Sequence, residues 1–170
     1  MIMGYRVEKI KIKFFLNGAE TEASVEPRLH AIDFLRESYE LSSPRVGCEH
    51  GVCGACTIRV DNRIVRGCLL LAVQLDGSRV ETLEGLSATG EISDLQQAFH
   101  ERNAMQCGYC TSGMLIASQE YLKSSSSVSR HAIREHLSGN YCRCTGYEAI
   151  VDAVAKVAVS RGLVLEKEEV

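Results

Sequence analysis

Tryptophan is absent from this 170-residue chain, and proline occurs only twice. The longest apolar runs, such as Leu69 to Val73, fall far short of the ~20 residues that cross a bilayer, which excludes a membrane-spanning helix. Neither sign of charge dominates. The 19 basic and 22 acidic residues leave a formal net charge of −3, and no dense Lys/Arg patch exists, so nothing supports nucleic-acid binding. The opening Met1-Ile2-Met3-Gly4-Tyr5-Arg6 lacks the basic start, long apolar run and small-residue cleavage site of a secretory signal. The expected location is therefore the cytoplasm, where thiols stay reduced. Also missing are a nucleophile–base pair, a Gly-rich phosphate loop and paired carboxylates. That set of absences gives the chain no evident means of transforming a substrate.

What the sequence does have is hydrophobic periodicity and cysteine. Ile10, Ile12, Phe14 and Leu16 alternate with lysines, the signature of a half-buried strand. Asn17-Gly18 then signals a hairpin turn into a strand carrying Ala23 and Val25. Pro27 suits the first turn of a helix whose apolar face holds Leu29, Ile32, Leu35 and Tyr39. A loop rich in Gly and Cys fills 44–56. Thr57 to Val60 reads as a strand, Asp61-Asn62 as a turn before Ile64 and Val65, Asp76-Gly77 as another turn, and Val80 to Leu83 as a final strand.

Near Glu84-Gly85 the pattern becomes helical. Ser93 with Gln96 forms a potential capping box for a first helix with Leu95, Ala98 and Phe99 inward. A second helix is expected from Ser112 to about Leu122, and the serines at 124–127 form a polar linker. Ser129 caps a third, ended by Ser138-Gly139, and a fourth covers Tyr147 to Arg161. The last residues, with Glu166-Lys167-Glu168-Glu169, read as a solvated tail. The predicted class is α+β: a β-rich domain over 1–83, four short helices over 84–162 and a tail at 163–170.

Each half carries four of the eight cysteines. Cys48, Cys53, Cys56 and Cys68 follow C-x4-C-x2-C, then eleven residues, then C, the plant-type ferredoxin spacing for a [2Fe–2S] cluster. Such a cluster needs two ligands on each of two irons, and thiolates are soft enough to hold both oxidation states. Gly47, Gly51 and Gly54 let the loop wrap closely and direct N–H groups at sulfur. Cys107, Cys110, Cys142 and Cys144 follow C-x2-C, thirty-one residues, then C-x-C. Loops at matching ends of a helix bundle can bring these four thiolates to one point. Cys110 precedes a helix N-terminus, which favours a thiolate. The alternatives are a disulfide scaffold, which needs an oxidising compartment, and structural zinc, which C-x2-C alone also fits.

The stretches Cys48-Glu49-His50-Gly51-Val52-Cys53-Gly54-Ala55-Cys56-Thr57, Gln106-Cys107-Gly108-Tyr109-Cys110 and Asn140-Tyr141-Cys142-Arg143-Cys144-Thr145-Gly146-Tyr147 resemble the small iron–sulfur subunit of the molybdenum hydroxylases, the xanthine dehydrogenase, aldehyde oxidase and carbon monoxide dehydrogenase family. The similarity spans about 8 to 160. It implies a β-grasp ferredoxin domain followed by a four-helix bundle with pseudo-twofold symmetry. It implies two [2Fe–2S] clusters here, a large subunit with molybdenum and a pterin cofactor, and a medium subunit with FAD, assembled as a dimer of heterotrimers. Electrons released by hydroxylation on the large subunit pass through the helical-domain cluster, then the ferredoxin-like cluster, then FAD. By position, Gln106 and Cys144 match residues that touch the pterin. One departure shows: Cys110-Thr111-Ser112-Gly113-Met114 has serine where the family usually has proline, and its hydroxyl is expected to cap the following helix.

The remaining candidates carry weaker expectations. His50, inside the first cysteine loop, could stand in for a thiolate as in Rieske centres, but four cysteines already suffice. His30, His100, His131 and His136 are expected at the surface of helices. Arg143, between two cysteines, offsets cluster charge or faces a partner. Tyr109 and Tyr141 are expected to shield the second site from water.

Overall fold

The computed structural model describes residues 8–166. The opening stretch on which the secretory reading rests, 1–7, lies outside the described residues, as do 167–170 of the expected tail. Strand β1 (Ile10–Leu16) and β2 (Ala19–Val25) pair antiparallel, from Ile10 opposite Val25 to Leu16 opposite Ala19. Asn17 and Gly18 both take positive φ, 50° and 87°, which is what a two-residue hairpin turn of matching twist demands. The alternation holds at Ile12, Phe14 and Leu16, whereas Ile10 at the strand end is exposed.

Helix α1 (Ala31–Tyr39) starts four residues beyond Pro27, which instead sits in a turn. His30 precedes the helix and bridges to Leu71, so backbone pairing rather than proline sets its start. Its buried Ala31, Phe34 and Leu35 pack on the sheet, where Phe14, Phe34 and Tyr39 meet with ring centroids 5.3 to 6.2 Å apart, and Ile32 turns to Cys56 and Cys68. Strands β3 (Thr57–Val60) and β4 (Arg63–Arg66) form a hairpin about Asp61 and Asn62, again both at positive φ. Strand β5 (Arg79–Glu81) runs parallel to β1 and antiparallel to β3, giving the order β2-β1-β5-β3-β4.

The second half has five helices where four were expected. The unforeseen one, α2 (Leu83–Ala88), buries only Leu86, too short an apolar signal to read. It leads into α3 (Ser93–Glu101), α4 (Thr111–Ser124), α5 (Arg130–Leu137) and α6 (Glu148–Ser160). The α3 capping box does not form: Ser93 is already helical, and Gln96 donates to Ser87 Oγ instead. At α5 the expected cap is present, with the Ala132 N–H donating to Ser129 Oγ at 3.0 Å. Strand β6 (Ser127–Val128) pairs in parallel with β7 (Val164–Leu165), so that part of the expected tail is held against the helices.

Helix α4 joins the two halves. Its residues from Ser112 to Gln119 are buried without interruption, because helices pack on one side and β3 and β4 on the other. Ile116 meets Leu86, Ile92 and Ile64, while Met114 and Leu115 join Leu95, Phe99, Ile133, Ile150 and Val154 in the helical core. Arg59 of β3, with its side chain 9% exposed, reinforces the junction. It binds Glu81 at 2.7 Å and Glu91 at 2.6 Å, and Lys123 of α4 reaches Glu91 at 2.7 Å.

Candidate metal centres

The first cysteine loop runs from Gly47 to Cys56 between α1 and β3, and Cys68 follows β4. The eight cysteines are all free thiols. Cys56 and Cys68 are buried, and their sulfurs lie 3.3 Å apart. That is far beyond a disulfide's ~2.05 Å. It is near the ~3.8 Å edge of a tetrahedron with metal–sulfur bonds of about 2.3 Å. Cys48 and Cys53, half-buried, come within hydrogen-bonding reach of each other. The Cys53 N–H donates to Cys48 Sγ at 3.4 Å, and the amides of His50 and Val52 also point at that sulfur. These amides pull the Cys48 thiol down to about 6, whereas burial and the neighbouring Cys56 push Cys68 up to about 11. The His50 ring bonds the Cys48 carbonyl rather than standing in for a sulfur.

At the second site Cys107 and Cys110 lie before α4, and Cys142 and Cys144 lie between α5 and α6. The Cys144 and Cys107 sulfurs are 3.5 Å apart and both residues are exposed. Cys110 pairs with Cys142. The four therefore meet as two pairs, close enough that Cys107 and Cys142 feel each other's charge. Among the described residues no three His, Cys, Asp or Glu side chains gather as a single ion requires. Paired thiols suit a dinuclear centre better than a tetrahedral zinc. Burial raises Cys142, but the Thr145 hydroxyl at 3.1 Å and amide at 3.4 Å outweigh it and bring the thiol below its ordinary value. Cys110 behaves against expectation: although it is the N-cap of α4, burial and Cys142 push it up to about 12. Gln106 is exposed next to Cys107.

The two sites touch. The Tyr141 N–H donates to the Cys53 carbonyl at 2.8 Å, and Asn140 Nδ2 donates to the Gly54 carbonyl at 3.3 Å. Arg66 donates to the Gly139 carbonyl at 2.7 Å and to Asn140 Oδ1 at 3.3 Å, and also bonds Thr57. Tyr109 is not a free shield: its hydroxyl donates to the Val46 carbonyl at 2.6 Å, with Arg45 over its ring. Ser112 does not cap α4 either. Its hydroxyl donates across to the Ser43 carbonyl, and Glu84 accepts from the Ser42 and Ser43 amides. His136, expected at the surface, is half-buried, its ring 4.8 Å from Tyr121 and its Nε2 at the Ala117 carbonyl. The contacts by which Asn140, Arg66 and Ser112 span the two halves carry no local signal, since those partners lie more than sixty residues away. Thr145 alone had one, a hydroxyl three residues past a cysteine in a tight turn.

Exposed apolar side chains gather at both sites. Val52 and Leu69 lie by the first quartet, and Met105, Tyr109, Tyr141 and Tyr147 by the second. Beside the latter runs a groove of about 360 Å³ lined by Leu137, Tyr141, Tyr147, Ile150 and Arg134.

Residues 14–85 match the family described as the 2Fe-2S iron-sulfur cluster binding domain, and residues 82–155 the [2Fe-2S] binding domain. The chain is similar to caffeine dehydrogenase subunit gamma of Pseudomonas sp. (strain CBB1), 43% identical over 92% of this chain and 96% of that one. It is 46% identical to the nicotine 6-hydroxylase small subunit of Paenarthrobacter nicotinovorans, over 86% and 88% of the two chains. Among solved structures, quinoline 2-oxidoreductase from Pseudomonas putida 86 superposes with a TM-score of 0.85 at 45% identity, covering 91% of this chain and 96% of that one.

Proposed function

The chain belongs to the small iron–sulfur subunits of the molybdenum hydroxylases, and on that premise we propose that it conducts electrons from a molybdenum–pterin centre on a large partner subunit to FAD on a medium one. It is an electron-transfer member of a catalytic dehydrogenase complex and binds iron–sulfur clusters. Cys48, Cys53, Cys56 and Cys68 are assigned as ligands of one [2Fe–2S] cluster, and Cys107, Cys110, Cys142 and Cys144 of a second. The single observation behind this is the meeting of each quartet in pairs. When bound, such a cluster supplies a store for one electron. The chain's own residues supply the rest. Amides aimed at Cys48 and the Thr145 pair aimed at Cys142 stabilise negative sulfur. The buried Cys56 and Cys68 keep water from half of the first site.

Residues 1–83 are read as a β-grasp domain and 84–162 as a four-helix bundle of α3 to α6 with α2 as its lead-in. Gln106 and Cys144, both exposed beside the second site, are assigned to the pterin-bearing partner. The apolar residues around them fit a protein interface, where aromatic side chains are enriched. Val52 and Leu69 are assigned to the flavin-bearing partner. The relatives' names range over caffeine, nicotine and quinoline, and substrate choice is placed on the large subunit, outside this chain.

The test is iron and acid-labile sulfide analysis with electron paramagnetic resonance on the purified complex. About four irons per chain and two distinct signals are expected. One signal, or zinc in place of iron, would refute the assignment. A chain that purifies without two larger subunits would refute the assembly.

A further inference from the structure

We propose that Asn140 and Arg66 are positioning residues that fix the two cysteine sites relative to each other, so that electrons cross between them through one hydrogen bond, from the Tyr141 amide to the Cys53 carbonyl. This rests on the reading that both quartets hold [2Fe–2S] clusters.

Cys53 belongs to the first quartet, and Tyr141 is bonded in sequence to Cys142 of the second. The 2.8 Å contact between them is therefore a direct link between the two ligand sets. What holds it is on its flanks. Asn140, 2% exposed, donates to the Gly54 carbonyl next to Cys53, and it accepts from Arg66, which also holds the Gly139 carbonyl. Gly54 has a φ of 76°, and a Cβ there would sit 2.6 Å from Asn140 Nδ2. On the other side, a Cβ on Gly113 would lie 2.2 Å from the Gly54 carbonyl oxygen. The first loop is thus clamped between the start of α4 and the segment after α5, with no room to slide. A buried amide making bonds to both loops, one of them through an arginine, is costly to leave half-satisfied.

The molecule contains its own control. Arg59, with Glu81 and Glu91, also joins the two halves, but it touches neither cysteine loop. A merely structural role for Asn140 would make Asn140→Ala and Arg59→Ala behave alike.

The experiment uses the full chain in its complex, fully reduced. The readouts are the magnetic splitting between the two clusters and deuterium exchange of the peptide containing Tyr141. Asn140→Ala should alter the splitting and speed exchange roughly tenfold. Arg59→Ala should lower Tm but leave both readouts at the parent's values. Should Asn140→Ala fail to fold, Arg66→Met removes the same support from a half-buried position, and Arg66→Lys should partly restore it. Parental splitting and exchange in both clasp variants, or equal changes in Arg59→Ala, overturn the clasp alone. A parent chain with fewer than about four irons overturns the underlying reading and the clasp together.

Discussion

The two cysteine sites differ in how far the chain closes over them. At the first, Cys56 and Cys68 sit in the interior with Ile32 and Val46, and only Cys48 and Cys53 approach the surface. At the second, Cys107 and Cys144 are exposed, and the most sheltered pair, Cys110 and Cys142, is only half-buried. In electrostatics the sites are nonetheless alike. Each joins a thiol lowered by donors, Cys48 or Cys142, to one raised by burial, Cys68 or Cys110. Enclosure raises a thiol and aimed donors lower one, and each site carries both effects. Burial is set by where a loop leaves the sheet or bundle, and the opposing donors by where its amides and hydroxyls point.

The sharpest way to break this comparison is to remove one thiol from each site. Cys107→Ser should empty the second site and halt flavin reduction by substrate while the large subunit still binds it. Because Cys107 packs against nothing in the core, the first site's signal should persist. Cys56→Ser, by contrast, should lose the first site and lower Tm as well. Wild-type flavin reduction in Cys107→Ser, followed by stopped flow, would end the electron path assigned here.

Next in size is the junction between the sites' domains. Arg59→Ala leaves two carboxylates without their buried partner and should cost about 3–5 kcal/mol in denaturant unfolding of the whole chain. The same pair makes stability pH-dependent. Arg59, despite an opposing contribution from burial, holds Glu91 at about 2, below its ordinary 4.5. A depressed acid stabilises the fold above its unfolded value, so this share should be intact above about pH 4.5. It should fade as pH falls towards 2, and Glu91→Gln should flatten that slope.

Smaller still is Gly54→Ala, which forces a side chain into a left-handed position against Asn140 and should cost about 2–3 kcal/mol. Gly18, also left-handed but with nothing within 4 Å, should cost only about 1 kcal/mol when changed to alanine. A Gly54→Ala variant as stable as Gly18→Ala would mean that the seam between the sites is loose. The smallest effect is expected for Ser112→Ala, about 1 kcal/mol from one hydrogen bond to Ser43, read as a shift in Tm.

Much of this was legible in the sequence. Hairpins are local, so Asn17-Gly18 and Asp61-Asn62 declared themselves, and so did Ser129 as a cap. The cysteine spacings divide the eight thiols into two groups of four, and the structure pairs sulfurs within each, Cys56 with Cys68 and Cys107 with Cys144. What escaped depends on partners far along the chain. Pro27 points to a helix start that the pairing of His30 with Leu71 moves four residues on. Ser112 reads as a cap of its own helix because Ser43, its partner, is sixty-nine residues away. In sequence, helix α4 looks like one helix among four, yet it is the wall shared by sheet and bundle, and a helix buried on every side carries little amphipathic pattern. The rise of Cys110 was missed for the same reason: a helix N-terminus is visible in sequence, and the burial that overrides it is not.

One edge of the sheet has a consequence for a subunit waiting on its partners. Strand β4 packs against α4, whereas among the described residues no strand pairs with the outer side of β2, which carries Glu20, Glu22 and Ser24, with Lys13 of β1 reaching Glu20 at 2.8 Å. Two such strands brought side by side would set acid against acid. Like charge would face like across any ladder formed there, which disfavours pairing of two ferredoxin-type halves through this edge.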